Sequence, residues 1–392
     1  MDYRPISTCL NSNLNSKLKI AIIGPAWPYR GGLATFNEYL AQQLSSDGHQ
    51  VDLHTFSHQY PSFLFPGTTQ LTDKPCPEGL HIERSLHAYN PLTWPSTQKK
   101  LVRSGYDLAI FRYWIPAMSP VLSSMASALA KSGTKILALV DNLYPHEARP
   151  LDRWLTSRFL HHPHAFLAMS QVVSEQLKDQ VGERPVYYSP HPIYDNYGPA
   201  IDKLDARKQL GLPEKGHTML FFGFIRRYKG LDLLLEALSD ERFKDKDFKL
   251  VVAGEWYEDS ASYYDMIKKL NLSDRLIMKD HFIPESEVAA YFSAADVVIQ
   301  PYRNATQSGI SALAYAYRKP LISTNVGGLS EIVEEGKTGF LCNPDPSSIA
   351  DGIQRYFEFQ QQELMAEAIE RQAESMSWAH FTRLILDVTG SE

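Results

Sequence analysis

The chain has 392 residues, of which 44% are hydrophobic and 21% charged, with a formal net charge of -6. That length supports two or three packed domains, and the mildly acidic balance argues against a nucleic-acid partner, which favours a basic chain or face. Three well-separated cysteines, Cys9, Cys76 and Cys342, have the spacing of neither a disulfide framework nor a zinc site and suit a reducing, cytoplasmic compartment.

Residues 1–16 read as a loose leader, because polar Asn and Ser interrupt the apolar core that a signal peptide needs. No stretch approaches the roughly 20 apolar residues of a membrane span, which leaves surface attachment open. Residues 19–23, Lys-Ile-Ala-Ile-Ile, then run into Gly24, a loop ending Arg30-Gly31-Gly32, and a helical pattern over 33–44. Residues 218–222, Thr-Met-Leu-Phe-Phe, repeat the scheme with Gly223, a loop ending Lys229-Gly230, and a helix over 231–238. Each is the opening unit of a doubly wound parallel sheet.

Further strands are predicted at 51–56, 107–113, 135–140 and 165–169, then at 248–253, 275–278, 297–300 and 320–323. Helical stretches at 117–131, 285–294 and 349–374 alternate with them, which argues for parallel sheets covered on both faces. Prolines and a glycine break regular structure over 189–199 and mark a linker. The expected architecture is α/β, with two Rossmann-like domains around a cleft. A leader (1–16) precedes an N-terminal acceptor-side domain (17–197). A C-terminal donor-binding domain (198–375) and a final segment (376–392) follow.

Three loops carry candidate anion chemistry. Gly223 to Gly230 combines glycine, a following helix start, and the cations Arg226 and Lys229. The run Thr306-Gln307-Ser308-Gly309 opens a helix, with Thr306 or Ser308 as a possible N-cap; simple capping explains it equally well. Gly31-Gly32 offers backbone close to a phosphate, or only a tight turn. Neither G-x-G-x-x-G nor G-x-x-x-x-G-K-[ST] is present, which argues against a dinucleotide oxidoreductase or a P-loop NTPase. After the strand at 135–140 come Asp141, Asn142, His146 and Glu147, placed for a cleft, with His146 the candidate for proton transfer. The cluster His161, His162 and His164 suits a helix end, and no catalytic metal or other cofactor is expected.

These segments, in order, resemble the family-four glycosyltransferases of the GT-B fold. The resemblance rests on residues 221–231, Val252-Ala253-Gly254-Glu255, Ala294-Ala295-Asp296-Val297-Val298, and 320–328 with Glu331 and Gly336-Lys337-Thr338-Gly339-Phe340. It implies a retaining, nucleotide-sugar-dependent transferase in which Arg226 and Lys229 grip the donor diphosphate and Gly32 touches it from the other domain. It also implies that a last helix, near 378–386, crosses back onto the N-terminal domain, and that His146 matches the catalytic-loop histidine, with Asp141 the alternative at the strand end. One departure stands out. The family's E-x7-E carboxylates fall on Ala305 and Leu313, so the glutamate that approaches the sugar and the one that holds the ribose are both missing. Thr306 to Gly309 resembles a replacement donor loop, and Arg318 stands where the family has glycine.

The expected function is sugar transfer from a nucleotide-sugar to a glycan or lipid-linked acceptor, in cell-surface polysaccharide or glycolipid synthesis. A GT-B nucleotide-sugar epimerase and a degenerate binding subunit are the alternatives. Arg149, Arg153, Trp154, Arg158 and Phe159 at helical spacing raise peripheral contact with the inner face of a membrane.

Overall fold

The computed structural model describes residues 17–60, 70–144, 150–194, 197–359 and 362–390. The expected leader, His146 and Glu147 lie outside them. Seven strands build the first sheet: β1 (Lys19–Ile23), β2 (Gln50–His58), β3 (His81–His87), β4 (Leu108–Tyr113), β5 (Lys135–Val140), β6 (Ala165–Ala168) and β7 (Val186–Tyr188). Six build the second: β8 (His217–Phe222), β9 (Phe248–Ala253), β10 (Leu276–Lys279), β11 (Val297–Gln300), β12 (Leu321–Thr324) and β13 (Gly339–Cys342). Their orders are β3-β2-β1-β4-β5-β6-β7 and β10-β9-β8-β11-β12-β13, and the paired strands run parallel.

Parallel neighbours cannot be joined by a tight hairpin, so helices cross over and cover both faces. With the first sheet go α1 (Gly32–Ser46), α2 (Trp94–Ser104), α3 (Ser119–Lys131), α4 (Pro150–Leu160) and α5 (Gln171–Val181). With the second go α6 (Lys203–Leu210), α7 (Leu231–Leu238), α8 (Ala261–Lys269), α9 (Glu285–Ala294), α10 (Gly309–Ala316), α11 (Pro346–Glu358) and α12 (Gln362–Glu374). The chain order reverses beside β1 and beside β8, and the crevice at the strand ends there is where such sheets bind ligands.

The last helix, α13 (Trp378–Gly390), returns to the first sheet. Trp378, Phe381 and Ile385 are buried with Phe36 and Leu40 of α1 and with β1. Each such side chain contributes about 1.5–3 kcal/mol by leaving water. The Trp378 indole donates to the Ile193 carbonyl (2.9 Å) and the Ile193 amide to that of Met376 (3.0 Å), so the two crossings between the sheets brace each other.

The single helix expected over 349–374 is two helices. The backbone leaves helical geometry at Phe359 (φ -78°, ψ 106°), whose ring lies 6.2 Å from that of Phe340. The physical reason is that α12 serves both core faces: Met365 packs with the β8–β9 side and Ile369 with the side that holds α9 and α10.

Asp296 shows what one conserved-looking motif residue does structurally. Its carboxylate accepts from buried Arg207 of α6 (2.7 Å) and from the Thr218 amide (2.6 Å), and it pairs with Lys203. Arg207 is only 2% exposed. Asp296→Ala leaves that guanidinium out of water with two backbone carbonyls, of Ala294 and Glu214, but without its buried counter-ion. It should lower stability by about 3–5 kcal/mol, read as a lower urea midpoint with α6 the first element to lose protection.

Candidate active site

The loops after β1, β8 and β9 and the start of α10 converge on a cavity of about 290 Å³ between the two sheets. Gly31, Gly32 and Thr35 line it from the first sheet's side, and Gly223, Lys229, Gly254, Gly309, Ile310 and Leu313 from the second's. Gly223 has φ +94°, and a Cβ there would sit 2.8 Å from the Lys229 ammonium. Glycine therefore lets that ammonium lie directly against the backbone. Lys229 is buried, with its ammonium 5.6 Å from the centre of the Tyr302 ring. Burial, and then the charge of Arg226, push it down to about 7. Arg226 stacks on Tyr257 at 4.6 Å.

The loop holding these cations is rigid. Arg303 forms a double ion pair with Asp232 (2.7 Å to each oxygen) and donates to the Arg227 carbonyl at 2.9 Å. Gly230 packs so tightly on Pro301 that an added Cβ would fall 2.0 Å from its carbonyl oxygen.

Beyond it lies the loop of the second sheet that opens α10. Ser308 caps α10, accepting from the Ile310 amide (3.3 Å), and Gln300 donates to the same hydroxyl (2.9 Å). Between Thr306 and Ser308 as cap, the structure selects Ser308. Gly327 and Gly328 shelve this loop, since a Cβ at either would meet the Ala305 or Thr306 carbonyl at 1.8 or 2.1 Å. The Gln307 amide crosses between the sheets and donates to Asp141 at 2.6 Å. Asp141 is buried at the end of β5, and Asn142 follows it, half-buried. Burial raises the Asp141 carboxyl, and the Arg112 guanidinium, bonded to both oxygens, opposes that rise. Arg112 also lies 4.2 Å from the Phe36 ring. Its Nη1 and Gln307 Oε1 are buried with no hydrogen-bond partner among the described residues.

Several residues had no role assigned from the sequence, though Arg30, Glu255 and Glu331 lay within its motifs. Arg112 carried a signal, a lone arginine in the apolar run Leu-Ala-Ile-Phe-Arg-Tyr. Arg30 pairs with Glu255 across the cleft (3.1 Å) and lies 4.9 Å from the Phe282 ring. Glu331 accepts from the Gln171 amide (2.8 Å) and the Ser170 hydroxyl (3.0 Å), so a carboxylate from the second sheet's loop caps α5 of the first. Glu38 lines the cavity and accepts from the Trp27 amide (2.5 Å); burial pushes its carboxyl up to about 7. His191 is buried under Phe36 and Tyr194, and burial lowers it to about 4. No group of three or more His, Cys, Asp or Glu among the described residues has metal-binding geometry.

Residues 30–195 match the sequence model of Glycosyltransferase Family 4, and residues 202–375 that of Glycosyl transferases group 1. A D-inositol 3-phosphate glycosyltransferase of Corynebacterium aurimucosum is 29% identical over 203 residues, 50% of this chain and 48% of that one. This chain thus spans about half the length of that relative and of several others it matches. A Thermobifida fusca protein of the same name is 24% identical over 379 residues, covering 89% of this chain and 86% of its own. The fold is that of the Anabaena protein HepE in its complex with UDP, at TM-score 0.74 and 16% identity over 96% of this chain and all of that one.

The Lys229 pKa fixes a pH dependence. A lysine lowered to about 7 is charged below that pH and neutral above it. An anion of constant charge at this ammonium, for which the diesterified pyrophosphate of UDP-glucose serves as probe, should therefore bind more weakly as pH rises. A drop of roughly ten- to a hundredfold between pH 6 and 9 corresponds to one lost charge-assisted contact. Ionisation of Glu38 acts in the same direction. Lys229→Arg, which stays charged, should flatten the Lys229 part in calorimetric titrations across that range.

Proposed function

The chain belongs to the family-four glycosyltransferases, and from that premise we propose that it transfers a sugar from a nucleotide-sugar donor to a hydroxyl of a glycan or lipid-linked acceptor. One observation carries the reading: a buried ammonium, Lys229, with no carboxylate bonded to it among the described residues, lining the same cavity as Gly31 and Gly32. A cation so placed favours an anion of matching size, and the donor diphosphate supplies one. In this assignment residues 17–197 are the acceptor side, 198–375 the donor side, and 376–392 the return helix.

The chemistry then follows. Lys229, Arg226 and the backbone N–H groups at the start of α10, with Thr306 to Gly309, hold the diphosphate. As the bond from the anomeric carbon to the phosphate oxygen breaks, its electron pair stays on that oxygen, and these fixed charges stabilise it. The acceptor oxygen forms the new bond on the same face of the sugar, and its proton passes to the departing phosphate, giving retention without a metal. Arg112 Nη1 and Gln307 Oε1 offer one donor and one acceptor for sugar hydroxyls, and Asp141 orients that amide. His146, near Asn142 and Glu147 in the sequence, is assigned to the acceptor hydroxyl, where it assists that proton transfer. Exposed Leu151 and Trp154 on α4, next to Arg153 and Arg158, favour contact with an anionic bilayer that carries the acceptor.

Purified protein should release nucleoside diphosphate from at least one sugar in a panel of UDP-, GDP-, ADP- and dTDP-sugars. Lys229→Ala and Arg226→Ala should each weaken donor binding about ten- to a hundredfold. His146→Ala should lower turnover by roughly 10²- to 10⁴-fold with donor affinity kept. Isomerised donor without transfer would favour the epimerase, and binding without turnover the non-catalytic subunit. Trp154→Ala should reduce sedimentation with vesicles of anionic phospholipid but not with neutral ones.

A further inference from the structure

Two contacts at Gly223 locate the end of the cavity assigned above to the phosphate. A point at the Cβ position of Gly223 lies 2.8 Å from the Lys229 ammonium and 3.5 Å from the Ile310 side chain at the start of α10. Leu313 lines the same cavity one turn further along that helix. Three residues advance about 4.5 Å along the axis, which is on the scale of a pentose ring attached to a phosphate. The wall there is apolar: Leu313 and Ile310 with Phe222, Ile283 and Val288.

The polar groups of this cavity are already engaged. Glu255 pairs with Arg30 (3.1 Å), Glu285 with Lys74 (3.1 Å), and Glu38 accepts the Trp27 amide (2.5 Å). The Tyr194 hydroxyl faces His191 at 3.4 Å, and that of Tyr197 interacts with Thr35. A hydroxyl laid against Leu313 loses its water and gains no partner there. A site built to bond a hydroxyl rejects the analogue that lacks it, whereas an apolar wall has no such means of discrimination.

We infer that the subsite at Leu313 does not read the 2′-hydroxyl of the donor, so the donors of this protein include 2′-deoxyribonucleoside diphosphate sugars as well as ribonucleoside ones. The inference rests on the nucleotide-sugar reading above and narrows it. Leu313 is its specificity-determining residue.

Calorimetric titration of the full chain with three matched pairs tests it: UDP and 2′-deoxy-UDP, GDP and 2′-deoxy-GDP, ADP and 2′-deoxy-ADP. In whichever pair binds, the deoxy form should bind within about threefold of the ribo form or tighter, as expected of a wall with no bond to lose. A ribo preference beyond threefold overturns the inference while leaving the donor reading intact. If none of the six binds, the nucleotide-sugar reading falls and takes this inference with it. Leu313→Glu and the milder Leu313→Gln place an acceptor on the wall. At least one should create a ribo preference of about tenfold, and a folded variant of each with no such preference would count against the placement of the pentose. The comparison in the parent protein decides the question even if neither variant folds.

Discussion

The Lys229 ammonium sits out of water against the Gly223 backbone and beside the Tyr302 ring, with no carboxylate bonded to it among the described residues. Such burial is unfavourable for a charge, and it lowers the proton affinity of the group. The surrounding structure holds it there. The Arg303–Asp232 pair and the Gly230–Pro301 contact fix the loop, so the cation cannot swing out to solvent. Under the proposed function this under-neutralised cation is the point that meets the donor's phosphate charge.

Closing a cleft between two sheets requires contacts that bridge them, and those found here are mostly polar. Gln307 reaches Asp141, Arg30 reaches Glu255, and Glu331 caps α5 from the far side. Polar bridges suit surfaces that must part, because each group is well hydrated once separated. The apolar bridge is different. Helix α13 inserts Trp378 and Phe381 beside Phe36, and this packing keeps the two halves in one molecule whatever the cleft does. The Gln307–Asp141 bond also ties the donor loop to the buried Arg112 pair, so the geometry of one half is set by a charge pair in the other.

The glutamates absent from positions 305 and 313 have consequences at both ends of α10. At its start, the Ser308 cap and the Gln307 amide do the orienting. One turn on, Leu313 leaves an apolar surface beside Ile310 and Val288. The same helix therefore presents a polar end toward the first sheet and an apolar flank toward the cavity, a division that a carboxylate at either position would blur.

Much of this was legible from local pattern. Strands β5, β9 and β11 are apolar runs whose period and length need no partner to be recognised, and the paired strand–glycine–helix openings specified two doubly wound sheets. Gly223 and Lys229, singled out in the sequence as part of a candidate anion loop, both line the cavity. What local pattern cannot contain is the meeting of residues distant in sequence. Edge strand β3, His-Ile-Glu-Arg-Ser-Leu-His, forms because β2 offers it a ladder, not because its own residues demand it. The break between α11 and α12 arises because Met365 and Ile369 face different layers of one core. Arg112 stood out as a charge in an apolar strand, but its partner Asp141 is 29 residues away and Gln307 a further 166 beyond that. The sequence by itself determined the elements and the chemistry available in each loop; the tertiary structure alone decided which loops face one another, because that depends on how two sheets pack and not on any single stretch of chain.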